Sequence, residues 1–362
     1  MTFVVKPRVH HPKLPVNDLG LTRRDYEGSV STLCAGCGHD SVSAAIVQAC
    51  AELSIPPHRF TKISGIGCSS KTPTYFLGKS HGFNSVHGRM PSVATGANLA
   101  NKDLYCIGIS GDGDTASIGM GQFAHIVRRR INMCYIVDNN GTYGLTKGQF
   151  SATNDKGSTS KKGAPNLYEP IDLVSIALQL GATFVGRSFS GDKGQLVPLI
   201  KAALLHKGFA FIDVISPCVA FNNHKGSTKS YDYVRDHRGD VVAAEFVSHG
   251  PLGAPDFVPP HAEITADYAP GTREDVAMPD GSTLRLRKLA DDYDPHDRVR
   301  ALAYVQHKQH EGEVVTGLLY LDQNASDCHA ILETVDTPLN ALNEADLCPG
   351  DAALKSINAS FR

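Results

Sequence analysis

Apolar and polar positions alternate along this chain in blocks that switch between two periods. Val42, Ala45, Ile46, Ala49, Cys50 and Leu53 recur at the spacing of one helix face, so a helix is expected over residues 40–53, with Asp40 or Ser41 as its N-cap. Four short apolar runs follow: FTKIS, LYCIGIS, MCYIVD and FAFIDVIS. Each ends in a loop of unusual composition: GIGCSSK (65–71), GDGD (111–114), NNGTYG (139–144) and PCVAFNN (217–223). Helical patterns lie between them at roughly 116–130, 170–180 and 194–206. Strands alternating with helices predict an α/β fold, a parallel sheet with helices on both faces. Arg128–Arg130 close a predicted helix, where cations complement the helix dipole.

The pattern changes after residue 235. Residues 232–290 are rich in Pro, Asp and Gly. VAMPDGSTLRLRKL reads as a hairpin with Asp280-Gly281 in its turn. DRVRALAYVQHKQH (297–310) reads as a helix, with Gly312 as its stop. Three units are therefore expected: an N-terminal arm over 1–30 broken by three prolines, a sheet domain over 31–235, and an irregular C-terminal extension over 236–362 that packs on the core or on a partner.

The chain has 362 residues, 41% hydrophobic and 20% charged, and a net charge of -2. That balance gives no global basic field for nucleic acid or an anionic membrane. No window approaches the ~18 apolar residues of a transmembrane helix, and the first residues lack the apolar run of a signal peptide. A cytoplasmic protein is expected. The nine cysteines are odd in number and argue for a reducing compartment rather than a disulfide framework. Cys50, Cys106 and Cys134 fall in apolar patterns and read as core residues. Cys328 and Cys348 sit in the tail without near partners. Cys34, Cys37, Cys68 and Cys218 remain, and all four fall in loops.

In an open parallel sheet, ligands bind beyond the carboxyl ends of the strands. The four loops leave those ends, so Cys68, Asp112, Asn140 and Cys218 are expected to share one edge. Cys34 and Cys37 join them if the first helix begins there. Asp112 and Asn140 offer hard oxygen ligands suited to Mg²⁺. Gly111 and Gly113 let the backbone approach a diphosphate, near the start of the following helix. Four converging thiols suit a structural Cys₄ zinc site or an iron–sulfur cluster, and spacing alone leaves both open.

GDGD followed by NN resembles the thiamine diphosphate fingerprint. CAGCGH, SGIGCSSK, HGRMPSVATG, GDGDTASIG, NNGTYGLTKGQ and SPCVAFNN, in this order, resemble the β subunit of 2-oxoacid:ferredoxin oxidoreductases, densely over residues 31–235. DFVPPHAEITADY and TLRLRKLADDYDP in the extension resemble the longer β subunits of 2-oxoglutarate:ferredoxin oxidoreductases. The resemblance implies a [4Fe–4S] cluster on Cys34, Cys37, Cys68 and Cys218. It implies Mg²⁺ on Asp112, Asn140 and the carbonyl of Thr142; counting back from Tyr143 selects Asn140 over Asn139. Thiamine diphosphate contacts map to Ile66, Gly67, Cys68, Ser69 and His87, to Gly111, Asp112, Gly113 and Asp114, and to Gly144, Leu145 and Thr146. His39, His87, Cys68 and Lys71 are the candidate catalytic groups. Lys71 is placed to meet a substrate carboxylate, and Lys147 is its rival.

The activity implied is a reversible oxidative decarboxylation of a 2-oxoacid to an acyl-coenzyme A, with electrons leaving to ferredoxin. 2-Oxoglutarate is the expected substrate, and pyruvate or a broader set of 2-oxoacids is the alternative. In this cofactor class a glutamate from a separate pyrimidine-binding domain activates the aminopyrimidine; only one sheet domain is expected here, so an α subunit must supply it, and an α₂β₂ assembly is implied. A cluster-free thiamine-dependent decarboxylase and a non-catalytic metal-binding scaffold are the competing classes. The cysteines argue against the first, and GDGD…NN argues against the second.

Overall fold

The computed structural model describes residues 11, 13–159, 163–247, 273–290, 293–348 and 350–361. In chain order its strands are β1 (Phe60–Ser64), β2 (His81–Asn84), β3 (Tyr105–Gly111), β4 (Met133–Asn139), the two-residue pair β5 (Thr142–Tyr143) and β6 (Gln149–Phe150), β7 (Phe184–Phe189), β8 (Phe209–Ile215), β9 (Arg238–Val247), β10 (Arg273–Ala277), β11 (Thr283–Lys288) and β12 (Val314–Leu321). Ten of them form one sheet in the order β10-β11-β9-β12-β7-β8-β4-β3-β1-β2. The stretch from β7 to β2 is parallel throughout. The four apolar runs are β1, β3, β4 and β8. Every residue of β4 and β8 is buried, as a central parallel strand covered on both faces requires.

The principal helices are α1 (Gly38–Glu52), α2 (Met90–Ala100), α3 (Met120–Arg129), α4 (Leu173–Leu180), α5 (Lys193–Leu205), α6 (Tyr231–His237) and α7 (Arg298–His310). α1 packs on α5 over one face of the sheet, while α2, α3, α4 and α7 pack in succession over the other. Phe123 of α3 meets Tyr135, Phe209 and Phe211 with ring centroids 5.1–6.2 Å apart. Each such buried ring contributes about 1.5–3 kcal/mol of apolar burial. Cys50, Cys106 and Cys134 are buried core residues, as expected. Arg130 caps α3 in the left-handed conformation, and Gly312 follows α7 at φ +80°.

Three features depart from the sequence pattern. α1 begins at Gly38 with Cys37 at its N-cap, three to four residues ahead of the expected Asp40 or Ser41. Its cap makes no side-chain hydrogen bond, so the polar-residue cap signal is absent. β2, α2 and β7 have no counterpart in the pattern. Finally, the chain beyond 235 continues the sheet. β9 pairs with β12, β12 with β7, and the expected hairpin, β10–β11, adds to the outer side of β9. The hairpin and the 297–310 helix stand where the pattern put them. DFVPPHAEITADY lies outside the described residues, as do the first ten residues of the arm. The rest of the arm packs on this chain: Tyr26 is fully buried, and Asn17 Nδ2 donates to Tyr26 Oη at 2.8 Å and to the Ala51 carbonyl at 2.9 Å. Among the described residues, no helix is long and apolar enough to cross a membrane.

Candidate cofactor and metal site

The loops after β1, β3, β4 and β8 meet at one edge of the sheet, and the N-terminus of α1 opens onto the same edge. Gly38 is what brings α1 so close: a Cβ there would stand 2.5 Å from Ser216 Oγ and 2.6 Å from Ser190 Oγ. Cys37 and the β8 loop carrying Cys218 are thereby neighbours. Gly144 occupies the middle of the arrangement. A Cβ at 144 would lie 3.4 Å from Cys218 Sγ and 3.5 Å from Cys68 Sγ, so the missing side chain keeps a gap between two thiols.

All four loop cysteines are free. Burial pushes the Cys37 thiol up to about 12, with Asp138, Cys218 and Asp40 adding to the effect and the His39 N–H opposing it. Burial also raises Cys68; Cys218 and Cys34 add to it, and Lys71 opposes it. Gly144 lies against both Cys68 and Cys218, and Cys37 caps the helix that Gly38 seats on the β8 loop. Among the described residues, no three His, Cys, Asp or Glu side chains close around a single point. Free thiols from separate loops, spaced across a glycine gap, fit a soft polynuclear metal group, whose binding would displace their protons.

The oxygen donors sit beside them. Asp112 is 1% exposed. Its Oδ2 accepts hydrogen bonds from the hydroxyls of Ser151 and of Thr153, the latter at 2.6 Å, and its Oδ1 accepts the Asn140 N–H at 3.3 Å. Burial raises the Asp112 carboxyl above the usual range; the two hydroxyls and the Asn140 N–H pull it down. Asn140 Oδ1 accepts the Thr142 N–H at 2.9 Å, and the Asn140 carbonyl accepts from Asn222 Nδ2 at 2.8 Å. Asp112, Asn140 and Thr142 are thus brought together. Asp138, next to them on β4, is fully buried with neither carboxylate oxygen hydrogen-bonded. Burial, then Asp112, holds its carboxyl well above the usual range. An all-oxygen donor set in a buried acidic pocket fits a hard divalent cation.

The remaining candidates divide. Ile66, Gly67 and Cys68 are half-buried and Ser69 is buried at the end of β1; Gly67 has φ +136°. Lys71 is half-buried in the 3₁₀ turn Ser69–Thr74, its N–H bonded to the Cys68 carbonyl at 3.1 Å. Gly111 ends β3, Asp112 caps the helical turn Gly113–Ile118, and Tyr143 Oη donates to the Gly113 carbonyl at 3.0 Å. Asp114 spends its carboxylate inside the protein: Oδ1 accepts the Gly88 N–H at 2.8 Å and Oδ2 accepts from Ser110 at 2.7 Å. It thereby staples the loop carrying His87, which is exposed, to the GDGD turn. Gly144 is half-buried, and Leu145, Thr146 and Lys147 are exposed. Lys147 has φ +84°, a strained backbone of the kind that collects at ligand sites. His39 is 1% exposed and burial lowers it to about 4. Nδ1 lies 2.6 Å from Ser216 Oγ, and Nε2 lies 3.4 Å from Asn140 Nδ2.

Sequence reasoning did not find the groups that hold Asp112. Ser151 and Thr153 stand in QFSATND, which carries no spacing signal. Asn139 was set aside as a ligand, and it has another task. Thr153 Oγ1 lies 3.0 Å from Asn139 Oδ1, Asn139 Nδ2 donates to Asp213 at 3.0 Å, and Asp213 accepts from Arg187 Nε at 2.9 Å. Arg187 also pairs with Asp172, whose carboxyl is lowered; burial, the largest cause, acts against that shift and is outweighed by Arg187 and the Ser175 hydroxyl and N–H. The doubled N of DNN was the only available hint.

The fold is that of a thiamine-diphosphate-binding α/β domain. Residues 65–214 match the family model described as thiamine pyrophosphate enzyme, C-terminal TPP binding domain. The chain is 41% identical over 191 residues to the 2-oxoacid:ferredoxin oxidoreductase subunit beta of Sulfolobus sp, a match covering 52% of this chain and 63% of that one. It is 39% identical to the 2-oxoglutarate synthase subunit KorB of Methanocaldococcus jannaschii, covering 52% and 69%. A solved 2-oxoglutarate:ferredoxin oxidoreductase from Magnetococcus marinus, with 2-oxoglutarate, coenzyme A and succinyl-CoA bound, superposes with a TM-score of 0.69 at 30% identity, over 89% of this chain and 90% of that one. This chain belongs to the family of 2-oxoacid:ferredoxin oxidoreductase β subunits. It spans about three fifths of the length of the Sulfolobus relative.

Proposed function

We propose that the chain is the β subunit of an enzyme that converts a 2-oxoacid, 2-oxoglutarate above others, and coenzyme A to an acyl-coenzyme A and CO₂, passing electrons to ferredoxin. The observation that carries this reading is that Gly144, two residues after Thr142 in the hydrogen-bonded Asp112–Asn140–Thr142 set, lies against Cys68 and Cys218. When bound, thiamine diphosphate would supply a nucleophile and electron sink, and a [4Fe–4S] cluster an outlet for single electrons.

Residues 31–235 are the cofactor-binding unit in this reading, with the arm packed on it and β9–β12 extending its sheet. Asp112, Asn140 and the Thr142 carbonyl would hold Mg²⁺. Backbone at Ile66–Ser69, Gly111–Asp114 and Gly144–Thr146 would cradle the diphosphate and ring. Cys34, Cys37, Cys68 and Cys218 would ligate the cluster. Lys71 would face a substrate carboxylate, with Lys147 its rival. His87 is exposed on its loop, open to a ligand or a partner, and His39 has both ring nitrogens engaged. Val86, Leu145 and Val219 on loops and Ile118 at the end of the Gly113–Ile118 helical turn are exposed apolar residues, a rim for an α subunit to cover while it excludes water. The aminopyrimidine-activating glutamate would come from that subunit in an α₂β₂ assembly. Nine free cysteines suit a reducing, cytoplasmic setting.

The test is turnover of the complex co-expressed with its α subunit: ferredoxin reduction dependent on both 2-oxoglutarate and coenzyme A is expected, with none from the isolated chain. Turnover by the isolated chain at the rate of the complex would remove the shared-site argument. Faster turnover of pyruvate would reassign the substrate.

A further inference from the structure

We propose that His39 is a positioning residue that sets the orientation of the Asn140 amide and ties that metal ligand to the cysteine loops. The inference rests on the assignment of Asn140 and the four thiols made above. The Asn140 amide has two ends. Oδ1 accepts the Thr142 N–H at 2.9 Å, so Nδ2 is the end that faces His39, 3.4 Å from Nε2. An amide nitrogen has only hydrogens to offer, so Nε2 must present its lone pair. The ring proton therefore sits on Nδ1, which donates to Ser216 Oγ at 2.6 Å. One tautomer satisfies both contacts. With the proton held on Nδ1, a flipped amide would set Oδ1 against the Nε2 lone pair and turn Nδ2, which cannot coordinate a cation, toward the metal and the Thr142 N–H.

The placement is also a link between two centres. His39 follows Cys37 by two residues on the first turn of α1, and Ser216 precedes Cys218 by two on the β8 loop. The imidazole lies between that pair of loops and Asn140 at 1% exposure, so movement of the cysteine loops is carried to the amide through one rigid ring. Groups that orient ligands in this way typically govern metal affinity by about 10–100-fold.

The test uses the αβ complex with thiamine diphosphate present and Mn²⁺ as the probe, titrated by electron paramagnetic resonance, with iron content measured on each sample. His39→Asn retains a polar group near Nδ1 but has nothing at the Nε2 position. His39→Gln places a carbonyl oxygen near Nε2, able to accept from Asn140. The expected result is Mn²⁺ binding weakened about 10–100-fold in His39→Asn and close to wild type in His39→Gln. Wild-type Mn²⁺ affinity in His39→Asn overturns the proposal. So do equal losses of Mn²⁺, iron and melting temperature in both variants, since a purely structural histidine would behave that way. If His39→Asn does not fold, Ser216→Ala serves: it frees the ring at Nδ1, so weaker Mn²⁺ binding with unchanged iron supports the proposal, and unchanged Mn²⁺ binding overturns it. Absence of cofactor-dependent Mn²⁺ binding in the wild-type complex would overturn the reading beneath the proposal, a result distinct from every variant outcome.

Discussion

Thr153→Val exchanges a hydroxyl for a methyl at nearly constant volume, so its effect isolates the hydrogen bonding of one hydroxyl. Thr153 is 1% exposed, and its Oγ1 lies 2.6 Å from Asp112 Oδ2 and 3.0 Å from Asn139 Oδ1. A hydroxyl has one proton, and the shorter contact, to the carboxylate, takes it. A hydrogen bond to a charged group contributes about 1.5–3 kcal/mol. If that bond fixes Asp112 toward the metal, its loss should weaken Mg²⁺-dependent retention of thiamine diphosphate by about 10- to 150-fold. Thr153→Ser should recover most of it. Ser151→Ala should act in the same direction, and the double variant should lose less than the sum, because both hydroxyls converge on Oδ2. The assay is cofactor remaining on the complex after desalting across a Mg²⁺ series. A retention curve for Thr153→Val that overlays wild type would refute the idea that this hydroxyl aligns the metal ligand.

Other outcomes follow from the same geometry. Cys218→Ser should lower iron content and ferredoxin reduction while leaving thiamine diphosphate bound, since Cys218 lies on the loop after β8 and Asp112 on the turn after β3; full iron occupancy would remove it from the ligand set. His206 is buried against Thr183 Oγ1 at 2.8 Å and its pKa falls to about 4 from 6.5, by burial. The fold favours the neutral ring, so its stability contribution is complete above pH 6.5 and is lost as pH falls toward 4, a change on the order of 3 kcal/mol. His206→Gln should flatten that part of the melting-temperature profile, with His39 keeping a residual slope. Lys71→Met should cost about 10- to 150-fold in kcat/KM for 2-oxoglutarate, from one charge-assisted hydrogen bond, and far less for pyruvate; equal losses would mean that Lys71 holds the carboxylate common to both substrates.

How far the sequence reaches depends on the physical signal involved. β1, β3, β4 and β8 were legible because each is a buried apolar run closed by a loop of unusual residues. The sharing of one edge by Cys68, Asp112, Asn140 and Cys218 followed from parallel-sheet topology. β7, FVGRSF, was missed because buried Arg187 breaks its apolar run, and the arginine is tolerated only through Asp172 and Asp213, on other elements. α2, MPSVATGANLA, was missed because glycine and small residues blunt its periodicity. The Ser151 and Thr153 hydroxyls could not be placed without coordinates. Their partner Asp112 lies about 40 residues earlier in the chain, and short polar side chains carry no spacing signal at that separation. The extension was read as an appendage because nothing in the pattern of β9 or β12 says which sheet it joins.

The central claim is that four thiols and an oxygen donor set on this chain hold two cofactors side by side. Its most direct measurement is iron, acid-labile sulfide, zinc and thiamine diphosphate in the anaerobically purified αβ complex. The account predicts iron and sulfide in equal amounts, matching one [4Fe–4S] cluster per chain, with one thiamine diphosphate and no zinc. Stoichiometric zinc without sulfide, or a full cluster with no thiamine diphosphate, would contradict it.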